Sequence, residues 1–181
     1  MERVYGPDLM LALCARSVEK GYRHFLYGGD EALVEALAER LRQRYPGIHI
    51  VGAFAPPFRP LTPDEDRDIV RVINDADPDV VWVGLSTPKQ ERWMAEHHRR
   101  IAAPVMVGVG AAFDFGAGRK KQAPHWMQRS GLEWFFRLLQ EPRRLWRRYL
   151  LNIPHFIALV FLQTIHLRRW SLAEARDDGE T

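Results

Sequence analysis

The chain has 181 residues, 46% of them hydrophobic, and a formal net charge of +3 with a pI near 9.2. This length suits one domain with a tail, and the composition is sufficient for a buried core. Cys14 is the single cysteine, which excludes an internal disulfide and indicates a reducing cytoplasm. We expect Cys14 to be a small buried side chain. No apolar run follows a basic start at the N-terminus, so no signal peptide is expected.

Apolar periodicity alternates between helix and strand spacing through the first half of the chain. The first predicted element is a helix within residues 1–20, after a Gly6-Pro7-Asp8 start. The next are a strand over 24–27 that ends in a glycine turn, a helix over 32–45, a strand over 48–54, a helix from a Thr62-Pro63-Asp64-Glu65 capping box to about residue 76, and a buried strand over 80–83.

The segment DVVWVGLSTPKQERW, residues 79–93, reads as a buried strand, a tight loop and a helix. Ser86 or Thr87 is predicted to cap this helix, with Pro88 at its first position. The loop presents a cation, an amide and a carboxylate, at residues 89–91, where the carboxyl end of a parallel strand meets a helix N-terminus. Such a site suits a phosphorylated, hydroxyl-rich ligand. The alternative is an exposed ion pair between the charged residues 89 and 91.

A further buried strand over 104–109 opens into GVGAAFDFGAG, residues 108–118. Phe113 replaces the third glycine of a dinucleotide fingerprint, and no Gly-Lys-Ser/Thr ending of a Walker loop is present. We therefore expect a flexible glycine loop that carries Asp114, either as a ligand-contacting residue or only as a turn or cap residue. Four strand-then-helix units predict an α/β fold with a Rossmann-like, doubly wound parallel sheet and helices on both faces.

The composition changes after Pro124 to an aromatic, basic and helical pattern. We predict an α/β core over 1–125, a helical appendage over 126–170 and a disordered tail over 171–181. The apolar run over 155–167 is too short to span a bilayer. Flanked by arginines and a tryptophan, residues 153–170 fit the surface of an anionic membrane. The alternative is a helix buried on its own domain or in a dimer.

Histidine placement gives no metal-binding pattern in the sequence. His97 and His98 are predicted to face solvent on the helix after Trp93, and the remaining histidines are scattered. No metal and no cofactor are predicted.

Four segments together resemble the WecG/TagA/CpsF glycosyltransferases: ERVYGPDL at 2–9, GLSTPKQERW at 84–93, GVGAAFDFGAG at 108–118 and GLEWFFRLLQEPRRLWRRYL at 131–150. The resemblance covers nearly all of the chain up to about Tyr149. It implies an inverting, metal-independent transferase that moves a sugar, typically N-acetylmannosamine, from a UDP donor to a polyprenyl-diphosphate-linked sugar. It also implies a cytoplasmic protein held peripherally at the inner face of the cell membrane.

The resemblance also assigns site residues. It makes Arg3 and Gln90 donor-contacting groups and places Asp114 near the uridine. It makes Arg137, Arg144 and Arg147 the arginines of an appendage that closes over the active site and meets the diphosphates, for which guanidinium groups are suited. The donor site is completed by the strand-end and loop residues Gly28, Gly29, Lys89, Glu91, Gly108 and Gly110.

The family pattern normally begins several tens of residues before the segment that matches Glu2 to Asp8, and that earlier part contains the aspartate thought to be the general base. We expect this sequence to be truncated, because the other motifs are intact. Asp114 is a weak substitute for the base, since nucleotide contact already accounts for it. The alternative is a truncated or degenerate homologue that binds a UDP-sugar at the membrane without catalysis.

Two further interpretations follow from the arginine cluster. A nucleic-acid binder would use these arginines on phosphates, but the apolar run over 155–167 argues against that function, and no nucleic-acid partner is predicted. An appendage of this kind either folds over its own active site or bridges two subunits, which leaves a homo-oligomer open.

Overall fold

The computed structural model describes residues 5–124, 126–127, 130–140 and 142–164. Within the helices after residue 132, several side chains are not described, including those at 133, 137, 144, 147–153, 155 and 164. The chain divides into two compact units, Met1–Gln122 and Ala123–Thr181.

The first unit alternates helices and strands. Its elements are α1 (Gly6–Lys20), β1 (Arg23–Gly28), α2 (Glu31–Arg44), β2 (His49–Phe54), α3 (Pro63–Asp75), β3 (Val80–Gly84), α4 (Lys89–His97), β4 (Val105–Gly108) and α5 (Ala112–Gly116).

The four strands form one parallel sheet in the order β2-β1-β3-β4. This confirms the predicted doubly wound α/β fold. The chain turns from β1 to β2 on one side and then crosses to β3 on the other, so the order reverses between β1 and β3. In open α/β sheets, ligands bind outside the carboxyl ends of the strands at such a switch point.

The core has one layer on each face of the sheet. Leu26 and Trp82 pack with α1, α2 and α5, whereas Tyr27 and Val83 pack with α3 and α4. Successive side chains of a strand point to opposite faces, which assigns neighbouring residues to different layers. Both faces are covered, and this accounts for the uninterrupted apolar run of β3. Cys14 is buried in the first layer, as predicted.

The helix starts agree with the sequence except at α4. The Thr62 side chain accepts a hydrogen bond from the Glu65 backbone N–H and the Glu65 carboxylate accepts one from that of Thr62, so the predicted capping box is confirmed. The predicted cap of α4 is wrong. Pro88 is itself the N-cap residue, and no described side chain caps the helix. The Thr87 hydroxyl instead contacts the Glu91 carboxylate at 3.1 Å, because the helix starts one residue later than predicted.

The predicted flexible loop around Asp114 is also wrong, since residues 112–116 form the short helix α5. The backbone N–H of Val109 donates to the carbonyl of Val83 at 2.9 Å, which ties the segment to β3. Gly110 then turns the chain with φ +48°, and buried Ala112 and Phe113 anchor the helix in the core. The glycines around this helix are therefore packing positions as well as turn residues.

The described residues of the second unit include the helices α6 (Glu133–Gln140) and α7 (Pro142–Thr164). Apolar side chains are exposed along the second half of α7, at Phe156, Ile157, Val160 and Phe161. Within the described residues, no helix combines the length and the apolar character that crossing a membrane requires.

A buried polar pair joins β1 to β3. The indole N–H of Trp82 donates to Nδ1 of His24 at 3.0 Å, and both side chains are fully buried. The pKa of His24 is lowered from its ordinary value of 6.5 to about 4, mainly by burial, with His49 adding to the effect and Asp79 opposing it. The ring is therefore neutral in the folded chain at pH 7, with Nδ1 as the acceptor.

This pair makes stability depend on pH. An unfolded chain binds a proton at His24 below pH 6.5, whereas the folded chain does not until about pH 4. The free energy of unfolding should therefore fall as the pH drops from 6.5 to 4, by about 3 kcal/mol for this residue in full. Urea unfolding at several pH values should show a smaller slope in His24→Phe than in the parent chain.

The control for this experiment is Ile73→Val, which removes one buried methylene and costs about 1 kcal/mol. It should keep the parent slope while lowering stability. An equal slope in His24→Phe and in the parent would show that His24 is not the titrating group.

Candidate functional site

A cleft of about 700 Å³ lies where the switch point predicts one, at the carboxyl ends of β1 and β3. Its walls come from the loop after β2, the first turn of α3 and the length of α4. A volume of this size is within the range of small-molecule sites.

The strand ends at this cleft meet through two glycines. Gly28 and Gly84 are paired in the β1–β3 register. A Cβ atom on Gly28 would lie 2.6 Å from the backbone carbon of Gly84, and Gly28 has φ +135°. A Cβ on Gly84 would lie 2.5 Å from the Phe113 ring. Only glycine permits this approach, and it leaves backbone rather than side chains at the mouth of the crevice.

Cations line the cleft on the α4 side. Lys89 and Arg92 are three residues apart and therefore on one face of the helix, near its N-terminus. Neither forms an ion pair within the described part of the chain, whereas Arg59 pairs with Glu65 and Arg100 with Asp66. Two unpaired cations beside a helix N-terminus favour an anionic ligand. The alternative ion pair between Lys89 and Glu91 does not form: Glu91 accepts from Thr87 and Gln90 instead.

A charged cluster holds α4 against α3 behind these cations. Asp66 contacts His97 Nε2 at 2.8 Å and Arg100 Nη1 at 2.6 Å. Burial opposes ionisation of Asp66, but the hydrogen bonds from Arg100 and His97 outweigh it, so the pKa of this carboxyl is lowered. The carboxylate therefore stays charged and fixes the angle between the two helices.

The prediction that His97 faces solvent is wrong, since only 2% of its side chain is exposed. His97 lies one helical turn after buried Trp93, and their rings stack at 4.3 Å. Trp93 in turn stacks on Tyr27 at 4.1 Å, and burial raises the pKa of Tyr27 above its usual range. These rings form an apolar floor for the cleft. The spacing of four residues from Trp93 was the signal that could have predicted the burial of His97.

The predicted donor residues are divided between the cleft and its surroundings. Gly29 and Lys89 line the cleft. Gln90 points the other way, toward β4, where Cβ atoms on Gly108 and Gly110 would lie 3.2 Å and 3.4 Å from its amide group. Gln90 Nε2 donates to Glu91 at 3.0 Å, and its buried Oε1 has no hydrogen-bond partner among the described residues. An acceptor atom of this kind is available to a ligand hydroxyl.

Asp114 lies in a separate charged group on the α2 and α5 side. Its carboxylate is 3.3 Å from the Lys120 ammonium group. Nearby, the Arg119 guanidinium donates two hydrogen bonds to Asp30, which also caps α2, and this contact lowers the pKa of Asp30. Asp114 does not line the cleft.

The other predicted site residues are not tested by the geometry. Arg3 lies outside the described residues. Arg137 lies on α6 and Arg144 and Arg147 on α7, with side chains outside those described. Within the described part of the chain, no three His, Cys, Asp or Glu side chains are grouped so that they could hold a metal ion.

A second cavity of about 570 Å³ lies between α1, α2 and α5. Arg40 and Arg44 contribute cations to it, and Met10, Leu37 and Phe115 contribute apolar surface. It is on the opposite face of the sheet from the α3–α4 layer.

Sequence reasoning missed most of the cleft wall: Phe58, Arg59, Asp66, Arg92 and Arg100. These residues lie on loops and helices that come together only because β2 and β3 flank β1. The signal for Arg92 was its spacing from Lys89, which is one helical turn.

Comparison with known proteins adds a family relationship. The sequence profile of the glycosyl transferase WecG/TagA/CpsF family matches residues 1–170. A protein of Bacillus subtilis (strain 168) named N-acetylglucosaminyldiphosphoundecaprenol N-acetyl-beta-D-mannosaminyltransferase is 34% identical over 159 residues, which are 87% of this chain and 59% of that protein. A protein of the same name from Staphylococcus aureus (strain MW2) is 37% identical over 155 residues, 86% of this chain and 58% of that protein. The chain thus spans about three fifths of the length of these curated relatives.

The glycine contact at the strand ends predicts a large loss of stability in Gly28→Ala. The substitution adds a strained φ and a clash with backbone that has no room to move, and together these should cost about 3 kcal/mol or more. Gly21→Ala is the matched control, since Gly21 also has a positive φ of +71° but open space around it. It should cost only about 1–2 kcal/mol in urea unfolding. Equal losses would contradict the close-contact interpretation.

The Asp66 cluster behind the cleft predicts that two aspartates of α3 contribute differently to the free energy of unfolding. Asp66→Ala leaves buried His97 without its carboxylate partner and should lower the free energy of unfolding by about 2–4 kcal/mol. Asp64→Ala, on the same helix, removes an exposed ion pair with Arg67 and should cost less than about 1 kcal/mol. Thermal or urea unfolding of the two variants measures both losses of stability. Similar losses would show that Asp66 does not hold α3 and α4 together.

Proposed function

The chain belongs to the WecG/TagA/CpsF family of glycosyl transferases, and on this basis we propose that it transfers N-acetylmannosamine from a UDP-sugar to N-acetylglucosamine carried on a polyprenyl diphosphate. The name that the Bacillus and Staphylococcus relatives share supports both the sugar and the acceptor.

One observation carries the proposal for the donor. The cleft at the switch point combines Lys89 and Arg92, two cations with no ion pair among the described residues, with exposed backbone at the glycine turn of β1. This combination suits a diphosphate, because ammonium and guanidinium groups bind its oxygens while backbone N–H groups approach closely. We place the UDP diphosphate there.

The same residues would assist the reaction. Transfer leaves negative charge on the departing UDP, and fixed cations that already face the diphosphate stabilise that charge. Gln90 Oε1, which is buried and has no partner in the part of the chain that the structure describes, accepts a hydrogen bond from a hydroxyl group of the donor sugar. The predicted uridine contact at Asp114 lies beside Lys120 on the other side of the strand ends, and this placement of the donor does not use it.

The acceptor is assigned to the second unit. Arg137, Arg144 and Arg147 are proposed to meet the acceptor diphosphate, and residues 153–170 are proposed to lie on the inner face of the cytoplasmic membrane. The exposed apolar side chains of α7 support membrane contact, since they offer a surface for the lipid interface. The same surface would also serve association between two copies of the chain.

The donor proposal is tested by UDP binding in a calorimeter. The double variant Lys89→Ala/Arg92→Ala should weaken UDP binding by at least about tenfold, and added salt should weaken binding to the parent chain more than to the variant. Arg67→Ala/Arg71→Ala removes the same charge from exposed ion pairs of α3 and serves as the control. Equal affinities for the two double variants would remove Lys89 and Arg92 from the donor site.

Catalysis is tested by UDP release from UDP-N-acetylmannosamine in detergent, with and without a polyprenyl-diphosphate-linked N-acetylglucosamine acceptor. Release should require the acceptor, and Gln90→Ala should lower the rate far more than it lowers stability. UDP binding without any release would instead support a non-catalytic, UDP-sugar-binding protein.

A further inference from the structure

The loop between β2 and α3 presents a large apolar ring to solvent. Phe58 is 86% exposed, the highest value among the exposed large hydrophobic side chains of the described residues. It lines the cleft that also contains Lys89 and Arg92. Burial of a phenylalanine ring stabilises the folded state, and an exposed ring at this position does not provide that stabilisation.

The backbone that carries Phe58 is held in place. Pro56 and Pro57 precede it and restrict the backbone. The next residue, Arg59, forms a two-point ion pair with Glu65 at 2.6 Å and 2.8 Å, and Glu65 is also the capping-box residue of α3. The hydrogen bond from Arg59 lowers the pKa of Glu65 to about 2, so the pair is intact at neutral pH. The ring is thus presented on a pre-ordered support.

The position of Phe58 relative to the cations sets the kind of group that it can meet. Phe58 follows β2 and Lys89 follows β3, and these strands lie on either side of β1. Neighbouring strands are about 4.8 Å apart, so the ends of β2 and β3, from which the two walls continue, are separated by roughly 10 Å. A ligand that reaches from the cations to the ring therefore has an anionic end and a planar end joined by a spacer. A nucleoside diphosphate has this form.

We propose that Phe58 is the stacking platform for the nucleobase of the donor, a residue that sets affinity for the nucleotide without touching its phosphates. This inference rests on the proposed function, because it takes the ligand of the cleft to be a UDP-sugar. An aromatic face stacks on a base with little regard to its hydrogen-bonding edge. Phe58 accordingly supplies affinity for a base, and choice among bases falls to other groups.

The test compares two probes, UDP and inorganic pyrophosphate, by calorimetry on the full chain. Phe58→Ala should raise the Kd for UDP about tenfold and leave the Kd for pyrophosphate within twofold. Phe58→Trp should keep or tighten UDP binding, whereas Phe58→Leu, which is apolar but has no ring, should behave like Phe58→Ala. Because the side chain is exposed, all variants should unfold at the parent temperature. Tyr22→Ala removes an exposed aromatic ring at the other end of β1 and should change neither Kd.

Three results would overturn the inference. If the parent binds UDP and Phe58→Ala binds it equally well, Phe58 does not stack on the base, although the donor site stands. If Phe58→Ala weakens UDP and pyrophosphate by the same factor, the residue acts on the phosphate end. If the parent chain binds UDP no more tightly than pyrophosphate, the nucleoside adds no affinity, and both the nucleobase site and the proposed UDP donor are wrong.

Discussion

The site depends on the contact between Gly28 and Gly84 at the ends of β1 and β3. These residues face each other in register, and there is no space for a Cβ atom between them. The contact opens the crevice at the switch point and allows the Phe113 ring to pack beneath it. Through Phe113 it also sets the position of α5. A ligand at this point meets backbone N–H groups and the N-terminus of α4, both of which favour an anion.

The charges around the crevice have two roles. Asp66 neutralises Arg100 and holds α3 and α4 together, and Glu65 holds the loop that carries Phe58. These carboxylates stabilise the walls. Lys89 and Arg92 have no such partners in the described chain and are available to a ligand. A transferase with a diphosphate leaving group needs this separation, because a cation already neutralised by a carboxylate gives little to a developing phosphate charge.

The sequence was sufficient to predict the parallel sheet, because β3 is a continuous apolar run and both β1 and β3 end in glycine. The strand-end loops lie where the sequence predicts them. The errors are at positions whose structure is determined by tertiary packing. Thr87 has the composition of a helix cap but contacts Glu91, and Asp114 sits on a helix that Phe113 anchors in the core. The opposite wall of the cleft, with Phe58 and Asp66, was not predictable from spacing, because it adjoins α4 only after β2 and β3 have paired on either side of β1.

The most direct test of the central claim, that the switch-point cleft takes the nucleotide, is an NMR titration of the ¹⁵N-labelled chain with UDP. The account predicts that the amide signals of Gly29, Ser86 and Lys89 shift together and saturate at one Kd, while those around the second cavity, such as Leu37 and Phe115, stay in place. Shifts confined to the second cavity, or no shifts at millimolar UDP, would contradict it.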